Sequence, residues 1–147
     1  MNSLNMHKTL FLLLFLLSPG ILFPQTDYTL SYHQKIDSLE KLLPGSLVEK
    51  RVDLLNELAS CYVPFNFDSS IFYSSQAARL ATLFDYSRGT GMARYYAGNA
   101  YYYKLDFKNA LINYLSAQPI FENGHYYNEL GDLHGMLGHM NFLNWRQ

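Results

Sequence analysis

The feature of this sequence that most constrains its fold is an internal repeat, in which two helix-like segments recur about 40 residues apart. The segments LLNELASCY and FDSSIFYSSQAARLA align with the later segments ARYYAGNAYY and LDFKNALINYLSAQ. The aligned positions pair Ala59 with Gly98, Ser70 with Ala110, Ser74 with Tyr114, and Ala77 with Ala117. Small residues that face large ones at helical spacing indicate two helices in close contact, so the repeat predicts stacked helix pairs.

Apolar residues at helical spacing predict five helices after a short polar leader at 24–31. The predicted helices span 32–43, 46–63, 69–84, 92–104 and 107–122. The segment DYSRGTG, residues 85–91, is predicted as the break between the third helix and the fourth. Because no segment sustains the polar and apolar alternation of a strand, the predicted fold is all-α. We expect a solenoid of antiparallel helix pairs with about two to three repeats.

Polar side chains next to the helix starts predict how the helices begin and end. Ser46 with Glu49 three residues later fits a capping box at the second helix. Asp68 and Asp106 are the predicted N-caps of the third and fifth helices. Pro119 lies late in the fifth helix and lacks a backbone N–H, so we expect a kink or an early end there.

The N-terminus has the pattern of a secretory signal peptide. His7 and Lys8 precede an unbroken apolar run from Leu10 to Leu17. This run is shorter than the ~20 residues that a helix needs to span a bilayer. A signal peptide at 1–24 predicts an exported protein, periplasmic or secreted. An uncleaved membrane anchor and an ordinary buried helix are the alternatives.

Composition and charge favour one packed domain without nucleic-acid binding. The 147 residues are 49% hydrophobic and 16% charged, which allows a core and argues against wholesale disorder. The net charge of −1, without any run of Lys and Arg, argues against a surface that follows phosphates. Cys61 is the only cysteine, lies on an apolar helical stripe and is interpreted as a core residue.

The stretch AGNAYYYKLDFKNALINYLSAQ combines a small residue and a glycine, a following tyrosine, a turn aspartate, and alanines alternating with an aromatic residue. With this pattern the chain resembles the tetratricopeptide repeat family. The positions that carry the resemblance are Ala59, Ser70, Ala77, Ala97, Gly98, Tyr101, Ala110, Tyr114 and Ala117. The sequence departs from the family at Leu105, where a turn glycine is usual, and at Ser70 and Ser74, where alanine and an aromatic residue are usual.

The resemblance implies an organisation into a signal peptide, a leader with the first helix, and a helical repeat domain, at 1–24, 25–45 and 46–147. Within that domain the best repeat is 91–124, a looser one is 52–85, and 125–147 is a partial repeat whose register is open. LLNELA and DSSIFYSSQAARLA also resemble exported repeat domains of Bacteroidetes-type bacteria, which often precede a membrane span and a histidine kinase or a DNA-binding regulator.

The family resemblance implies a module that binds a protein or peptide partner on a concave surface and has no chemistry of its own. In the family's register the exposed positions of that surface are Asp53, Asn56, Ser60, Met92, Tyr95, Asn99 and Tyr102. Asn99 could hydrogen-bond an extended peptide backbone. The alternative function is a truncated sensory input domain of a two-component histidine kinase or a transcriptional regulator.

The sequence holds no recognisable catalytic constellation. It contains no Gly-rich phosphate loop, no nucleophile elbow and no paired His-Glu metal motif. His134 and His139 are five positions apart, so they do not share a helical face as two metal ligands would. We therefore expect a protein that is not an enzyme and that holds no metal or cofactor.

Overall fold

Helix follows helix throughout the computed structural model, which describes residues 26–144; the predicted signal peptide at 1–24 lies outside the described residues. The six helices are α1 Thr26–Leu42, α2 Val48–Tyr62, α3 Phe67–Leu83, α4 Ser87–Tyr103, α5 Phe107–Asn123 and α6 Tyr127–Asn144. The described residues contain no strand, so the all-α prediction is confirmed. The chain divides into two compact units, 1–31 and 32–147, and the described part of the first is the start of α1.

The last four helices begin at a constant interval. The interval is constant because α3, α4 and α5 have the same length and each is followed by a turn of the same length. The residues with positive φ keep the same interval: Asp85 at 54°, Leu105 at 63° and His125 at 54°. After each of them, the next N–H donates back to a carbonyl five positions earlier, as in a Schellman motif. Two such intervals make one helix pair, which agrees with the offset read from the sequence.

Only one of the predicted caps is confirmed. Asp106 caps α5, since its carboxylate accepts a hydrogen bond from the Asn109 N–H at 3.1 Å. The cap of α3 is Asn66, which accepts from the Ser69 N–H at 3.0 Å. The prediction of Asp68 was wrong because α3 begins one residue before it, so Asp68 lies inside the first turn.

The capping box at the start of α2 was also wrong. Ser46 donates its hydroxyl to the Leu43 carbonyl at 2.8 Å and does not cap the helix. The N-cap position is held by Leu47, whose side chain makes no capping hydrogen bond.

Three predicted boundaries shift in the structure. Helix α1 begins at Thr26, inside the predicted leader, and α5 runs through Pro119 to Asn123 without the early end. Helix α4 begins at Ser87, so most of the predicted break at 85–91 is helical. The two glycines of that segment are buried because neighbouring side chains occupy the space that a Cβ would need.

Consecutive helices pack against each other from α2 to α6, and α2 also contacts α4. Helices α4 and α5 run antiparallel, because Gly91 near the start of α4 lies against Phe121 near the end of α5. Towards the other end of the pair, the rings of Tyr102 and Phe107 lie 5.7 Å apart. The described helices include none that is long and apolar enough to cross a bilayer.

Buried residues form three clusters along this series of helices. The first joins α1 to α2 through Ile36, Leu39, Leu54, Leu58 and Cys61. The second joins α2, α3 and α4 through Val52, Leu55, Ala77, Ala81 and Ala93. The third joins α5 to α6 through Ala110, Tyr114, Ala117, Phe121 and Leu133, and residues of α4 pack against it.

The residues of the repeat signature occupy the helix contacts. Eight of the nine are buried, and Tyr101 is half-buried. A Cβ on Gly98 would lie 2.5 Å from a carbon of the Tyr114 ring, so this contact requires glycine. The Ser70 hydroxyl, which replaces a usual alanine, donates to the Ala59 carbonyl at 2.8 Å and is thereby satisfied.

Candidate functional site

Helices α2, α4 and α6 contribute polar and aromatic side chains to one continuous face, which we name the tyrosine face. It comprises Asp53, Glu57 and Ser60 of α2, Met92, Tyr95, Tyr96, Asn99 and Tyr102 of α4, and Asp132 and His139 of α6. The Tyr102 hydroxyl and His139 Nδ1 are hydrogen-bonded at 2.7 Å and join α4 to α6. The hydrogen bond from Asn56 Nδ2 to the Gly89 carbonyl, at 3.0 Å, joins α2 to α4.

Helix α2 provides the acidic edge of the tyrosine face. Asp53 is half-buried and accepts a hydrogen bond from the Tyr86 hydroxyl at 2.9 Å. Burial raises the pKa of Tyr86, and the adjacent Asp53 carboxylate raises it further, so the phenol keeps its proton and remains a donor. Glu57 forms an ion pair with Lys35 of α1 at 2.9 Å.

Asn56 does not lie on the exposed surface where the family register puts it. It is only 4% exposed, and its Nδ2 donates to the Gly89 carbonyl at 3.0 Å. The first turn of α4 comes this close because a Cβ on Gly89 would collide with Val52 and Tyr86. Asn56 therefore connects α2 to α4, and Gly89 is the sequence signal that could have shown it.

Asn99 is held in place by the buried Tyr114. Its Oδ1 accepts the Tyr114 hydroxyl hydrogen bond at 2.7 Å, and the Tyr114 side chain is fully buried. Burial raises the pKa of Tyr114 far above the ordinary value, so this phenol stays protonated. Burial also raises the pKa of Tyr95, and a hydrogen bond with Asn99 opposes that rise. The carbonyl of Asn99 is thus occupied within the chain.

Four large side chains of α4 remain half-exposed on the tyrosine face: Met92, Tyr95, Tyr96 and Tyr102. Burial raises the pKa of Tyr95 and of Tyr96, so both rings are neutral near pH 7. Neutral tyrosines and a methionine offer a large contact area at a modest cost in side-chain entropy. Asp53 on α2 and Asp132 on α6 belong to the two helices that are hydrogen-bonded to α4.

Helix α6 contributes two residues to this face that were not predicted from the sequence. Asp132 and His139 repeat the positions of Met92 and Asn99 one helix pair later in the chain. The glycines at 91 and 131, and at 98 and 138, were the signal for this register.

An ion pair reinforces the contact between α4 and α6. The Nε and Nη2 atoms of Arg88 donate to Glu129 Oε1 at 2.8 and 2.6 Å, and both residues lie in the first turns of their helices. The bond between Tyr102 and His139 joins later turns of the same two helices. Helices α4 and α6 therefore run parallel on this face.

The two other histidines of the C-terminal part do not join His139. His125 Nδ1 is 3.3 Å from the Tyr127 hydroxyl, and His134 is exposed on α6. Within residues 26–144, no three side chains of the His, Cys, Asp and Glu types come together as metal ligands. Cys61 is a buried free thiol, and burial raises its pKa.

Comparison of the chain with protein-family models, with curated proteins and with solved structures finds no match.

Proposed function

We propose that this protein is a non-catalytic interaction module of the helical repeat type, which binds a protein or peptide partner on the tyrosine face. The observation that carries the proposal is the strip of half-exposed side chains on α4, Met92, Tyr95, Tyr96 and Tyr102. Tyrosine and methionine are enriched where proteins bind each other, because they supply apolar contact together with adaptable hydrogen bonding.

The arrangement of the helices supports a solenoid of antiparallel pairs, with α2, α4 and α6 as the first helices of successive pairs. In this proposal the first helices form the concave side, and the partner contacts Asp53, Ser60, Met92, Asn99 and Tyr102. The interval from the start of α3 to the start of α5 is longer than the tetratricopeptide period of about 34 residues. Each helix is therefore nearly one turn longer than in that family, which lengthens the strip that one helix presents.

The hydrogen bonds of the tyrosine face support binding without a catalytic step. The polar groups of Asp53, Asn99 and Tyr102 are each paired with another side chain, which fixes their orientation. A partner therefore meets a surface that is already ordered, and ordering costs less binding free energy. Export to the periplasm or the medium is part of the proposal on the sequence pattern of residues 1–24 alone.

Photo-crosslinking in the cells that naturally make the protein tests this function. A photoreactive phenylalanine analogue replaces Met92 on the tyrosine face in one variant and exposed Phe72 on α3 in the control variant. We expect a discrete adduct with one polypeptide from position 92 and none from position 72. Equal adducts from the two positions, or none from position 92, would refute binding at this face.

A further inference from the structure

Helices α2, α3 and α4 border a cleft of about 880 Å³, which we name the arginine cleft. Three arginines line it, one from each helix: Arg51, Arg79 and Arg94. No Asp or Glu among the described residues lines the cleft with them. Because the whole chain has 12 acidic and 11 basic residues, three cations in one cleft without a carboxylate are a local excess of positive charge.

Two of the three arginines keep all their donors available. The ion pairs of the described residues use other cations, Lys35, Arg88 and Lys104. Within residues 26–144, neither Arg79 nor Arg94 makes a hydrogen bond or an ion pair, and both are exposed. Their guanidinium groups are therefore hydrated, and an anion that enters the cleft displaces water instead of breaking a bond within the chain.

Arg51 differs from these two because the turn before α2 holds its guanidinium group. The Nη2 atom of Arg51 donates to the Ser46 carbonyl at 3.2 Å. Its Nε is buried and has no acceptor among the described residues. A guanidinium group has five N–H donors, so Arg51 retains donors that the described chain does not use. Because the side chain is already held, an anion that binds there loses little free energy in ordering it.

Leucines form an apolar part of the same wall. Leu55 is buried, Leu80 is half-buried, and Leu83 is 74% exposed. Leu83 follows Arg79 by one helical turn, so the two side chains lie on the same side of α3. The cleft thus offers apolar contact next to positive charge, and the ligand that matches it joins an anionic group to an apolar body.

We propose that the arginine cleft binds a small organic phosphate, a phosphate monoester with an apolar group. Arginine suits phosphate because its planar guanidinium group forms two parallel hydrogen bonds with phosphate oxygens. A phosphate monoester has three charged acceptor oxygens, which can serve more than one guanidinium group, whereas one arginine can occupy both oxygens of a carboxylate. The volume of the cleft lies within the range of roughly 300 to 1,000 Å³ that small-molecule sites have.

The arginine cleft is separate from the tyrosine face. Arg94 is two positions from both Met92 and Tyr96, which places it on the opposite side of α4. On α2, Arg51 is likewise two positions from Asp53. Phosphate binding and partner binding are therefore independent proposals, and either can fail while the other stands.

Titration of the full chain with 1-naphthyl phosphate tests the site, because this compound joins a phosphate monoester to an apolar ring system. Isothermal titration calorimetry at low ionic strength measures the binding, since salt screens exposed charges. We expect saturable binding with a dissociation constant below ~1 mM. The carboxylate 1-naphthoate is expected to bind about tenfold more weakly, because it offers fewer acceptor oxygens. The uncharged 1-naphthol is expected not to saturate the protein.

Variants of the two exposed arginines separate the cleft from the overall charge. We expect Arg79→Gln and Arg94→Gln each to weaken the binding of 1-naphthyl phosphate about tenfold, because each removes charge-assisted hydrogen bonds. Arg79→Lys keeps the charge without the planar fork, so its affinity should lie between those of the wild type and Arg79→Gln. Lys108→Gln is the matched control, since it removes the same charge from an exposed residue of α5 outside the cleft.

Melting temperatures show whether a variant has lost the site or the fold. Arg79 and Arg94 are exposed and make no bond within the described residues, so their variants are expected to melt close to the wild-type temperature. The proposal would be overturned if the wild type did not bind 1-naphthyl phosphate at ~1 mM, or if both glutamine variants bound it as the wild type does. Equal binding of 1-naphthoate would refute the choice of phosphate. An equal loss of affinity in Lys108→Gln would show that net charge, and not the cleft, attracts the ligand.

Discussion

Single residues in the turns determine how closely consecutive helices follow each other. Asp85, Leu105 and His125 all adopt positive φ, a region that favours glycine because other side chains crowd the backbone there. Aspartate tolerates this conformation better than leucine does, since its short polar side chain can hydrogen-bond locally. Leu105 is also 74% exposed, so its side chain gains little from packing.

Replacing Leu105 with glycine is expected to stabilise the protein. The substitution removes the strain of leucine in the left-handed region but increases the entropy of the unfolded chain. The net gain in the free energy of unfolding is about 0.5 to 1 kcal/mol. Urea denaturation measures it, and Asp85→Gly is the matched control with a smaller expected gain. A lower stability of Leu105→Gly than of the wild type would contradict the role assigned to the strain.

The helices show which parts of the structure the sequence could predict. The spacing of apolar residues was sufficient to predict the interiors of the helices. The signature positions are buried because small and large side chains must alternate where two helices are in close contact. Caps were harder, because Asn66 and Asp68 are both good cap residues and only the observed helix start distinguishes them. The helical state of residues 87–91 could not be predicted from the sequence, because glycines usually indicate a turn. Here the two glycines lie inside a helix, where neighbouring side chains pack closely against them.

The exposure of the residues proposed to bind a partner could be predicted only in part, for the same reason. The four predicted positions on α4 follow directly from the repeat register, and all of them are half-exposed. Asn56 was misplaced because its burial depends on the approach of Gly89, which lies on the next helix but one. Predicting the contribution of α6 required the alignment in which Gly131 repeats Gly91. The sequence of α6 also fits shorter repeat spacings, so this alignment was not evident from the sequence.

The ion pair between α4 and α6 gives a pH dependence at the level of these two helices. Burial alone would raise the pKa of Glu129, but the hydrogen bonds and charge of Arg88 outweigh it and hold the pKa below its ordinary value of 4.5. A carboxylate with a lowered pKa contributes stability that is present above the unfolded-state pKa and is lost as pH falls through the folded-state pKa.

We therefore expect Glu129→Gln to lower the free energy of unfolding at pH 7 by about 0.5 to 1 kcal/mol, since Arg88 is partly exposed and the pair is screened by solvent. The difference from the wild type should shrink as the pH falls below 4.5, through the lowered pKa of Glu129. Urea denaturation over a series of pH values from 7 downwards measures it, with the exposed Glu49→Gln as control. A loss that stays the same across the whole series would show that the ion pair is not the cause.

At the scale of the whole molecule, stability is expected to fall towards α6. Helix α4 is packed between α3 and α5, whereas α6 packs along α5 with one buried residue, Leu133. A Cβ on Gly131, Gly135 or Gly138 of α6 would meet no neighbouring atom in the part of the chain that the structure describes. In a series of stacked helices, local opening is easiest where a helix has the fewest packed neighbours.

Hydrogen–deuterium exchange followed by mass spectrometry tests this gradient. We expect amides in 131–140 of α6 to exchange well before those in 93–100 of α4, because α6 can open without disturbing the clusters around α2 and α3. Equal protection of the two segments in the free protein would mean that the described helices unfold as one cooperative unit.

The equal spacing of the three left-handed turn residues also bears on how such a chain can change length during evolution. Asn66 and Asp106 cap α3 and α5 in the same way, one helix pair apart, so recombination between these points would join two matching junctions. Gain or loss of a whole helix pair would leave each surviving helix with neighbours of the same kind. Gain or loss of a single helix would instead place the glycine side of one helix against the wrong neighbour. We expect natural length variants of this architecture to differ in steps of two helices.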